Sequence, residues 1–170
     1  TSTATVNLTV DPTNDVPVAV ADSGTTDEDV SLTVNVLAND TDPDGDTLSV
    51  SGVTQGANGS VTDNGDGTVK YTPSANYFGT DSYTYTVKDD DGDVSNVATV
   101  NITVNDVNDP PVANDDSDTT NEDTPVTTTV VTNDTDVDGT IVASTVAIVA
   151  GPSNGTLVNN GDGTVTYTPD

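Results

Sequence analysis

The stretch VNITVNDVNDPP at residues 100–111 repeats, with few changes, the stretch VNLTVDPTNDVP at residues 6–17. The same offset of 94 residues places the run NDTD at 39–42 onto the run NDTD at 133–136. After a two-residue insertion the offset becomes 96, and NGDGTV at 64–69 recurs at 160–165. Self-similarity at one period indicates a structural unit that is repeated along the chain. We therefore expect a tandem array of small domains.

The phase of the repeat divides the chain into three parts. Residues 1–13 match only the end of a repeat and are expected to form the last strand of a preceding unit. Residues 14–109 make one whole unit, and residues 110–170 make the N-terminal part of a second, truncated unit, which stops where Ser74 lies in the first. We expect the array to continue beyond this stretch. The alternative is that an end borrows strands from a neighbouring molecule, since residues 3–10 are a spare last strand.

The charge of the chain is strongly acidic, with 29 Asp and Glu against 2 basic residues and a net charge of −27. Nucleic-acid binding is not expected, because contact with phosphates needs a basic surface. No apolar run approaches the roughly 20 residues of a membrane-spanning helix, so membrane insertion is not expected either. The chain has no Cys and no His, which excludes disulfides, thiol sites and the usual zinc ligands.

The same composition argues against an enzyme. Without His the chain lacks the usual general base and any Ser-His-Asp triad. A pair of carboxylates is able to hydrolyse glycosides in principle. The duplicated acidic clusters of this chain, however, have a simpler explanation in calcium binding. We therefore predict that the protein is not an enzyme.

Apolar and polar residues alternate along many short runs, which is the pattern of half-buried β-strands. Clear examples are Val100, Ile102 and Val104, which alternate with Asn101 and Thr103. Such runs recur every 8 to 12 residues between turn residues, which is typical of an antiparallel β-sandwich with about seven strands per unit. The alternative is intrinsic disorder, because high charge and few aromatics are its signature. The regular alternation favours the folded sandwich.

Turn and core residues complete this prediction. Asn64-Gly65-Asp66-Gly67 supplies the positive φ angles that a tight hairpin requires, and the matching hairpin spans residues 157–168. One alternative for the acidic residues at 63–67 is that they are simply turn residues. The aromatic residues expected in the core are Tyr71, Phe78, Tyr83 and Tyr85, with Tyr77 at its edge. We predict that Tyr85, Val100 and Ile102 point inward and that Thr84, Asn101 and Thr103 point outward.

The acidic residues are concentrated in four recurring clusters. These are the linker between repeats, the pair Glu28-Asp29 with its repeat Glu122-Asp123, the loop NDTDPDGD at 39–46 and the loop KDDDGD at 88–93. Clustered carboxylates repel one another unless a cation lies among them. Ca²⁺ takes six to eight oxygen ligands, and flexible Asp-rich loops supply such ligands. The sequence therefore predicts Ca²⁺ as the bound metal.

The sequence also resembles a known family. Residues 81–111, DSYTYTVKDDDGDVSNVATVNITVNDVNDPP, resemble the last two strands and the calcium-binding linker of a cadherin repeat. Asp27-Glu28-Asp29 lies where cadherins have a Pro-Glu-Asn motif, and residues 38–42 lie where they have an Asp-x-Asp motif. The chain as a whole resembles the bacterial cadherin-like, Ig-like repeats of giant secreted adhesins of the VCBS or RTX type. The implied fold is all-β, with tandem antiparallel sandwiches and calcium-binding linkers between them.

The resemblance implies which residues bind calcium. Asp40, Asp42 and Asp91 are expected to face the junction that precedes the first whole unit. Glu28 is expected to reach the following junction. The full set of implied ligands is Asn14, Asp15, Glu28, Asp40, Asp42, Asp91, Asp106, Asn108, Asp109, Asp134 and Asp136, with Asp11, Asp22, Asp44, Asp89, Asp116 and Glu122 as weaker candidates. The cadherin Asp-Arg-Glu motif has no match in this sequence.

The resemblance implies a mechanical function. We expect calcium-rigidified extender repeats of a bacterial adhesin that is secreted or anchored at the cell surface. The partners would then be the adjacent repeats of the same chain, and a cell-surface or polysaccharide ligand would be bound by other domains. The alternative is that the repeats themselves bind a partner, either homophilically or by holding polysaccharide.

Overall fold

The structure is a computed structural model that describes residues 2–10 and 13–170. The described chain consists of two compact units, a first unit that ends at Val107 and a second unit at Asn108–Asp170. Both are built from β-strands, and the longest helical element among the described residues is the three-residue 3₁₀ helix Ala143–Thr145. In the part of the chain that is described, no helix has the length and apolar character to cross a membrane.

The first unit is a two-layer β-sandwich with seven strands among its described residues. The strands are β1 (Asp22–Asp27), β2 (Leu32–Asn35), β3 (Ser49–Val53), β4 (Gly59–Asp63), β5 (Thr68–Pro73), β6 (Gly79–Lys88) and β7 (Ala98–Asn105). One sheet has the order β1-β7-β6-β3 and the other the order β2-β5-β4. The prediction of an all-β, Ig-like sandwich is confirmed.

The pairing of β1 with β7 differs from the antiparallel prediction, because these two strands run parallel, with Asp22 opposite Val100 and Asp27 opposite Asn105. All other strand pairs of the first unit are antiparallel. The short link from β1 to β2 carries the chain from one sheet to the other, so β1 does not pair with its successor and is free to lie along β7. Alternation of apolar residues is the same in both pairings, so sequence alone did not distinguish them.

The core of the first unit lies between the two sheets. Tyr85, Val100 and Ile102 are buried, and Asn101 and Thr103 are exposed, as predicted, while Thr84 is half-buried. Tyr71 and Tyr83 are also buried, and Tyr77 packs at the edge of the core as predicted. β-Branched and aromatic residues suit this pleated, half-buried surface.

The prediction that Phe78 lies in the core is wrong, because half of its surface is exposed. Phe78 falls in the turn that leads into β6 at Gly79, where the chain does not follow the strand alternation. Asn76, in the same turn, has a positive φ of 55°. The turn directs Phe78 away from the sheets.

The second unit contains one three-stranded sheet with the order β8-β10-β9, formed by β8 (Val126–Thr129), β9 (Gly155–Asn159) and β10 (Thr164–Pro169). The hairpin of β9 and β10 confirms the one predicted at 157–168. Every buried hydrophobic side chain among the described residues belongs to the first unit. The apolar residues of the second unit that the structure describes are half-buried or exposed.

Residues 2–10 form no strand among the described residues. That they are the last strand of a preceding unit stays a prediction. They pair with no described strand, and Val6, Leu8 and Val10 are each at least 79% exposed. A strand is stabilised by hydrogen bonds to a neighbour and by one covered face, and this segment has neither.

Candidate metal centre

Three loops of the first unit meet around Asn14. Its side-chain amide donates to Asp89 Oδ2 and to Asp93 Oδ2, each at 3.0 Å. The backbone N–H of the next residue, Asp15, donates to Asp44 Oδ2 at 2.7 Å. These contacts join the segment before β1 to the loop between β2 and β3 and to the loop between β6 and β7. Residues that are 75 positions apart in the sequence therefore lie side by side.

The loop between β2 and β3 is organised by Asp42. Its Oδ1 accepts the backbone N–H groups of Asp44 at 2.8 Å and Gly45 at 3.2 Å. Gly45 has a φ of +85°, which only glycine adopts at little cost. This local turn directs the other oxygen, Asp42 Oδ2, inward, where it is buried and has no hydrogen-bond partner. A buried polar atom without a hydrogen-bond partner is uncommon in folded proteins.

The loop between β6 and β7 has a similar construction around Asp89. Its Oδ1 accepts the backbone N–H groups of Gly92 at 2.6 Å and Asp93 at 2.7 Å. Asp89 is only 3% exposed. Burial by itself raises the pKa of a carboxyl group, but the hydrogen bonds from Asn14 and from the loop N–H groups outweigh it and lower the pKa of Asp89. The Asp89 carboxylate is thus held in its charged form.

The carboxylates of Asp42, Asp46 and Asp89 converge, with one oxygen of each lying within 4.8 Å of the others. We call these three residues the acidic cluster. A cavity of about 360 Å³ beside it is lined by Thr13, Asn14, Asp44, Asp46 and Asp91. The recorded donors to Asp42, Asp44 and Asp89 are all neutral N–H groups. No positive side chain among them offsets the charge.

Asp46 experiences electrostatic repulsion from neighbouring carboxylates. Its pKa is raised, first by desolvation and then by the negative charges of neighbouring aspartates, among them Asp42 and Asp90. A divalent cation would remove this repulsion and would also satisfy Asp42 Oδ2. The ligands on offer are all oxygens, which suits a hard cation such as Ca²⁺. The residues present therefore fit the predicted metal.

Asp40 and Asp22, two predicted ligands, have a different environment. The hydroxyl of Tyr85 lies 2.9 Å from Asp22 Oδ2 and 3.1 Å from Asp40 Oδ1. Asp40 Oδ1 also accepts the N–H of Val20 at 2.7 Å. Burial raises the pKa of both carboxyl groups. The structure thus places Asp22 and Asp40 at the end of the core, where they anchor Tyr85.

Glu28, the ligand predicted for the following linker, is buried, and its Oε1 accepts the backbone N–H of Val107 at 2.7 Å. This contact holds the last residue of the first unit. Asp106, predicted as a ligand in the same linker, is exposed.

The second unit repeats the hydrogen bonds of the first with the sequence offset of 94. The N–H of Asp109 donates to Asp138 Oδ2 at 3.0 Å, as that of Asp15 does to Asp44. Asp136 Oδ1 accepts the N–H of Gly139 at 2.9 Å, as Asp42 does that of Gly45. Asp138 Oδ1 is buried without a partner.

The other predicted ligands of the second unit make fewer contacts. Asp134 Oδ1 accepts the N–H of Asn114 at 2.8 Å, and the Asn108 side chain donates to the carbonyl of Asp109. Asp116 and Glu122 are exposed, and Asp11 lies outside the described residues.

Sequence analysis did not identify Asp46 or Asp138 as site residues. Asp138 carried a usable signal, because it is the counterpart of Asp44 at the offset of 94. Asp46 did not, because its counterpart is Thr140 and the repeat comparison therefore gives it no support. Asp89, a weaker candidate from sequence, belongs to the acidic cluster, whereas Asp91 lines the cavity and is exposed.

The acidic residues of the two hairpins serve their own turns. Asp66 Oδ1 accepts the N–H and the hydroxyl of Thr68 at 3.0 and 2.6 Å, and Asp162 makes the same contacts with Thr164. These hydrogen bonds lower the pKa of Asp66 and Asp162. Their turn interpretation agrees with this geometry.

Comparison with known proteins gives one family match. The profile described as "Bacterial Ig domain" matches residues 14–103 and again residues 108–170. Bacterial Ig domains are typically non-catalytic modules. No curated protein sequence matches the chain significantly.

Among solved structures, two endo-fucoidan hydrolases of glycoside hydrolase family 107 are similar at 19% and 22% identity, with TM-scores of 0.39 and 0.40. They cover 91% and 90% of the chain, which spans only 29% and 24% of their length. A chimeric titin Z1Z2, functionalized with a KLER peptide from decorin, is 14% identical with a TM-score of 0.30, over 92% of the chain and 82% of its own length. These TM-scores carry no argument about function.

Proposed function

Because the chain belongs to the bacterial Ig domain family over both of its units, we propose that it consists of calcium-rigidified extender repeats of a bacterial adhesin. The parent protein is secreted or anchored at the cell surface, and these repeats separate its binding domain from the cell. Two features support this proposal. The chain is an internal repeat of one β-sandwich unit, and its acidic residues are concentrated in loops and not on strand faces.

The observation that carries the calcium proposal is the buried, unpartnered oxygen of Asp42 beside two further carboxylates. Repulsion within the acidic cluster opposes folding unless a cation is bound. Asp42, Asp46 and Asp89 would hold the ion, and Asp44 and Asp91 are close enough to the cavity to complete an oxygen shell. Bound calcium supplies positive charge and fixes three loops to one another.

Fixing these loops has a mechanical consequence. The segment with Asn14 and Asp15 lies just before β1, where a preceding repeat would be joined. A cation held by the acidic cluster therefore stiffens the entry to the unit. Extracellular modules typically bind calcium at roughly 10⁻⁴–10⁻³ M, which matches the calcium available outside cells. An affinity in this range would suit the proposed extracellular location.

Calcium titration by isothermal calorimetry tests the proposal. We expect the chain to bind Ca²⁺ with a dissociation constant of about 10⁻⁴–10⁻³ M. Replacing Asp42 and Asp89 by Asn should weaken binding at this site at least about tenfold, because two of its charged ligands become neutral. Asp66→Asn is the matched control, since it removes one carboxylate from a hairpin turn of the same unit. Unchanged calcium binding in the Asp42/Asp89 variant would refute the assignment.

A further inference from the structure

The outer face of β6 in the first unit carries a groove that is separate from the acidic cluster. Two cavities mark it, one of about 330 Å³ whose lining includes Thr80, Ser82 and Asn101, and one of about 260 Å³ whose lining includes Thr84 and Thr86. The side chains that alternate with these along β6 face the core. The part of β6 that lines the cavities is about 20 Å long, since a strand advances about 3.4 Å per residue. We call the two cavities together the β6 groove.

The neighbouring strands supply the walls of the β6 groove. On one side β7 places the exposed Asn101 opposite Ser82. On the other side Thr54 donates its backbone N–H to the carbonyl of Thr84 at 2.9 Å, and the two hydroxyl oxygens lie 3.1 Å apart. Hydroxyl and amide groups both donate and accept hydrogen bonds. The groove therefore offers a row of uncharged groups that recognise other hydroxyl groups.

Asp81 fixes the remaining wall. Its carboxylate accepts the backbone N–H groups of Ala57 at 3.0 Å and Asn58 at 2.9 Å, and both of these residues line the first cavity. The hydroxyl of Tyr71 and the N–H of Ser82 also donate to this carboxylate. Of the described residues that line the two cavities, Asp81 alone carries a charge. Its hydrogen bonds are made within the protein, so they hold the wall in place before any ligand binds.

The turn that carries Phe78 leads directly into the β6 groove. Phe78 is half-exposed and is the one phenylalanine of the chain, and it precedes Thr80 by two positions. The hydroxyl of Tyr77 donates to the carbonyl of Thr80 at 2.7 Å, which holds the turn against the start of the groove. A pyranose ring has an apolar face of C–H groups, and an exposed aromatic ring offers a surface against which such a face packs.

The charge of the molecule limits what can occupy the groove. The net charge is −27, so an anionic polymer such as a sulfated or uronic-acid polysaccharide is repelled. A purely apolar partner would leave the hydroxyl and amide groups of the groove without hydrogen bonds. A neutral polysaccharide carries no charge, has hydroxyl groups that donate and accept, and has apolar ring faces. Its chemistry matches all three properties of the groove.

We propose that the β6 groove of the first unit binds a neutral polysaccharide. One polymer chain lies along β6, with Ser82, Thr84 and Asn101 hydrogen-bonded to its hydroxyl groups and one sugar ring packed against Phe78. The repeats then hold polysaccharide themselves, in addition to separating a binding domain from the cell. The groove shares no residue with the acidic cluster, so the tests of polysaccharide binding and of calcium binding succeed or fail independently.

Affinity electrophoresis of the whole chain in millimolar calcium tests the binding. The native gels contain dextran, mannan or a soluble β-glucan as neutral probes, and alginate or dextran sulfate as anionic probes. We expect at least one neutral probe to retard the chain and neither anionic probe to do so. Retardation by no neutral probe, or by an anionic probe alone, would overturn the proposal.

Substitutions in the groove test the residues. Asn101→Ala and Phe78→Ala should each raise the dissociation constant for the retarding probe about tenfold, because a few central contacts carry most of a binding energy. Both side chains are exposed, so neither change disturbs the core. Asn35→Ala is the matched control, because Asn35 is an exposed asparagine on β2 of the opposite sheet. Equal dissociation constants for Asn101→Ala and Asn35→Ala would exclude the β6 groove as the site.

Amide chemical shifts measured by NMR locate the occupant. We expect the retarding probe to shift the resonances of residues 80–86 and 101–103 and to leave those of residues 33–35 and 68–72, on the opposite sheet, unchanged. Shifts confined to the opposite sheet would overturn the assignment. Self-association without polysaccharide that Asn101→Ala abolishes would identify a second copy of the chain as the occupant, and would overturn it as well.

Discussion

At the scale of single residues, the clearest function of charge in the first unit is to hold the edge of the core. Asp81 receives four hydrogen bonds, from the hydroxyl of Tyr71 at 2.8 Å and from the backbone N–H groups of Ala57, Asn58 and Ser82. Burial of the carboxyl group acts to raise its pKa, but these hydrogen bonds dominate and lower the pKa of Asp81. Tyr71, in turn, is fully buried.

Replacing Asp81 by Ala should destabilise the first unit by about 1–3 kcal/mol at neutral pH, because the buried hydroxyl of Tyr71 loses its acceptor. The folded-state pKa of Asp81 is lowered, so its contribution is complete above its unfolded pKa, near 3.8, and is lost as pH falls through the folded-state value. The difference between the two proteins in urea denaturation should therefore shrink below about pH 4. A pH-independent difference would contradict the role assigned to the charge.

At the scale of elements, the hairpin of β4 and β5 is shaped by two glycines with positive φ, +78° at Gly65 and +86° at Gly67. They differ in what surrounds them. A Cβ at Gly65 would meet nothing within 4 Å, whereas a Cβ at Gly67 would come within 2.7 Å of the Leu37 side chain. In the second unit, a Cβ at Gly163 would come within 2.8 Å of Val131, which takes the place of Leu37, and within 2.9 Å of Ala143. Backbone geometry and packing together thus require glycine at Gly67.

Gly65→Ala should therefore cost about 1 kcal/mol of the free energy of unfolding, from backbone strain alone. Gly67→Ala should cost more, by about a further 1 kcal/mol, because Leu37 has to move as well. Thermal unfolding of both variants followed by circular dichroism measures this ranking. Equal losses would indicate that Leu37 moves without cost.

At the scale of the whole molecule, the net charge of −27 means that the stability of the chain should depend on whether its acidic loops bind a cation. Binding of calcium to the folded chain alone adds about 2.7 kcal/mol per site when calcium is 100-fold above its dissociation constant. Millimolar calcium outside a cell would hold the repeats rigid. The low calcium inside a cell would leave them loose, which suits export through a narrow secretion channel.

Chelation should lower the melting temperature of the chain and broaden the distribution of end-to-end distances measured by small-angle scattering. Magnesium should restore both poorly, because it prefers a small octahedral site and keeps its water ligands. Sodium chloride at matched ionic strength is the control for simple screening of charge. Identical melting curves and scattering profiles in chelator and in millimolar calcium would refute a calcium-rigidified stalk.

Several features of this protein were determined by the sequence alone. The 94-residue offset defined a repeated unit, and period-two alternation identified the inward residues of β7 correctly. Asn-Gly and Asp-Gly located both hairpins, because only a few residues adopt positive φ at low cost. These signals are local, since they depend on backbone conformation and on the faces of a single strand. They can therefore be identified from the sequence before the partner of any strand is known.

The tertiary structure alone determined which strands pair and which groups surround each side chain. It paired β1 with β7 in parallel and directed Phe78 outward. It also separated the acidic residues by environment, with Asp40 at Tyr85 and Asp42 beside Asp46 and Asp89. In the sequence, Asp40 and Asp42 belong to one run of similar residues. The physical reason is that pairing, burial and ligand geometry depend on contacts between residues far apart in the chain, which no local pattern encodes.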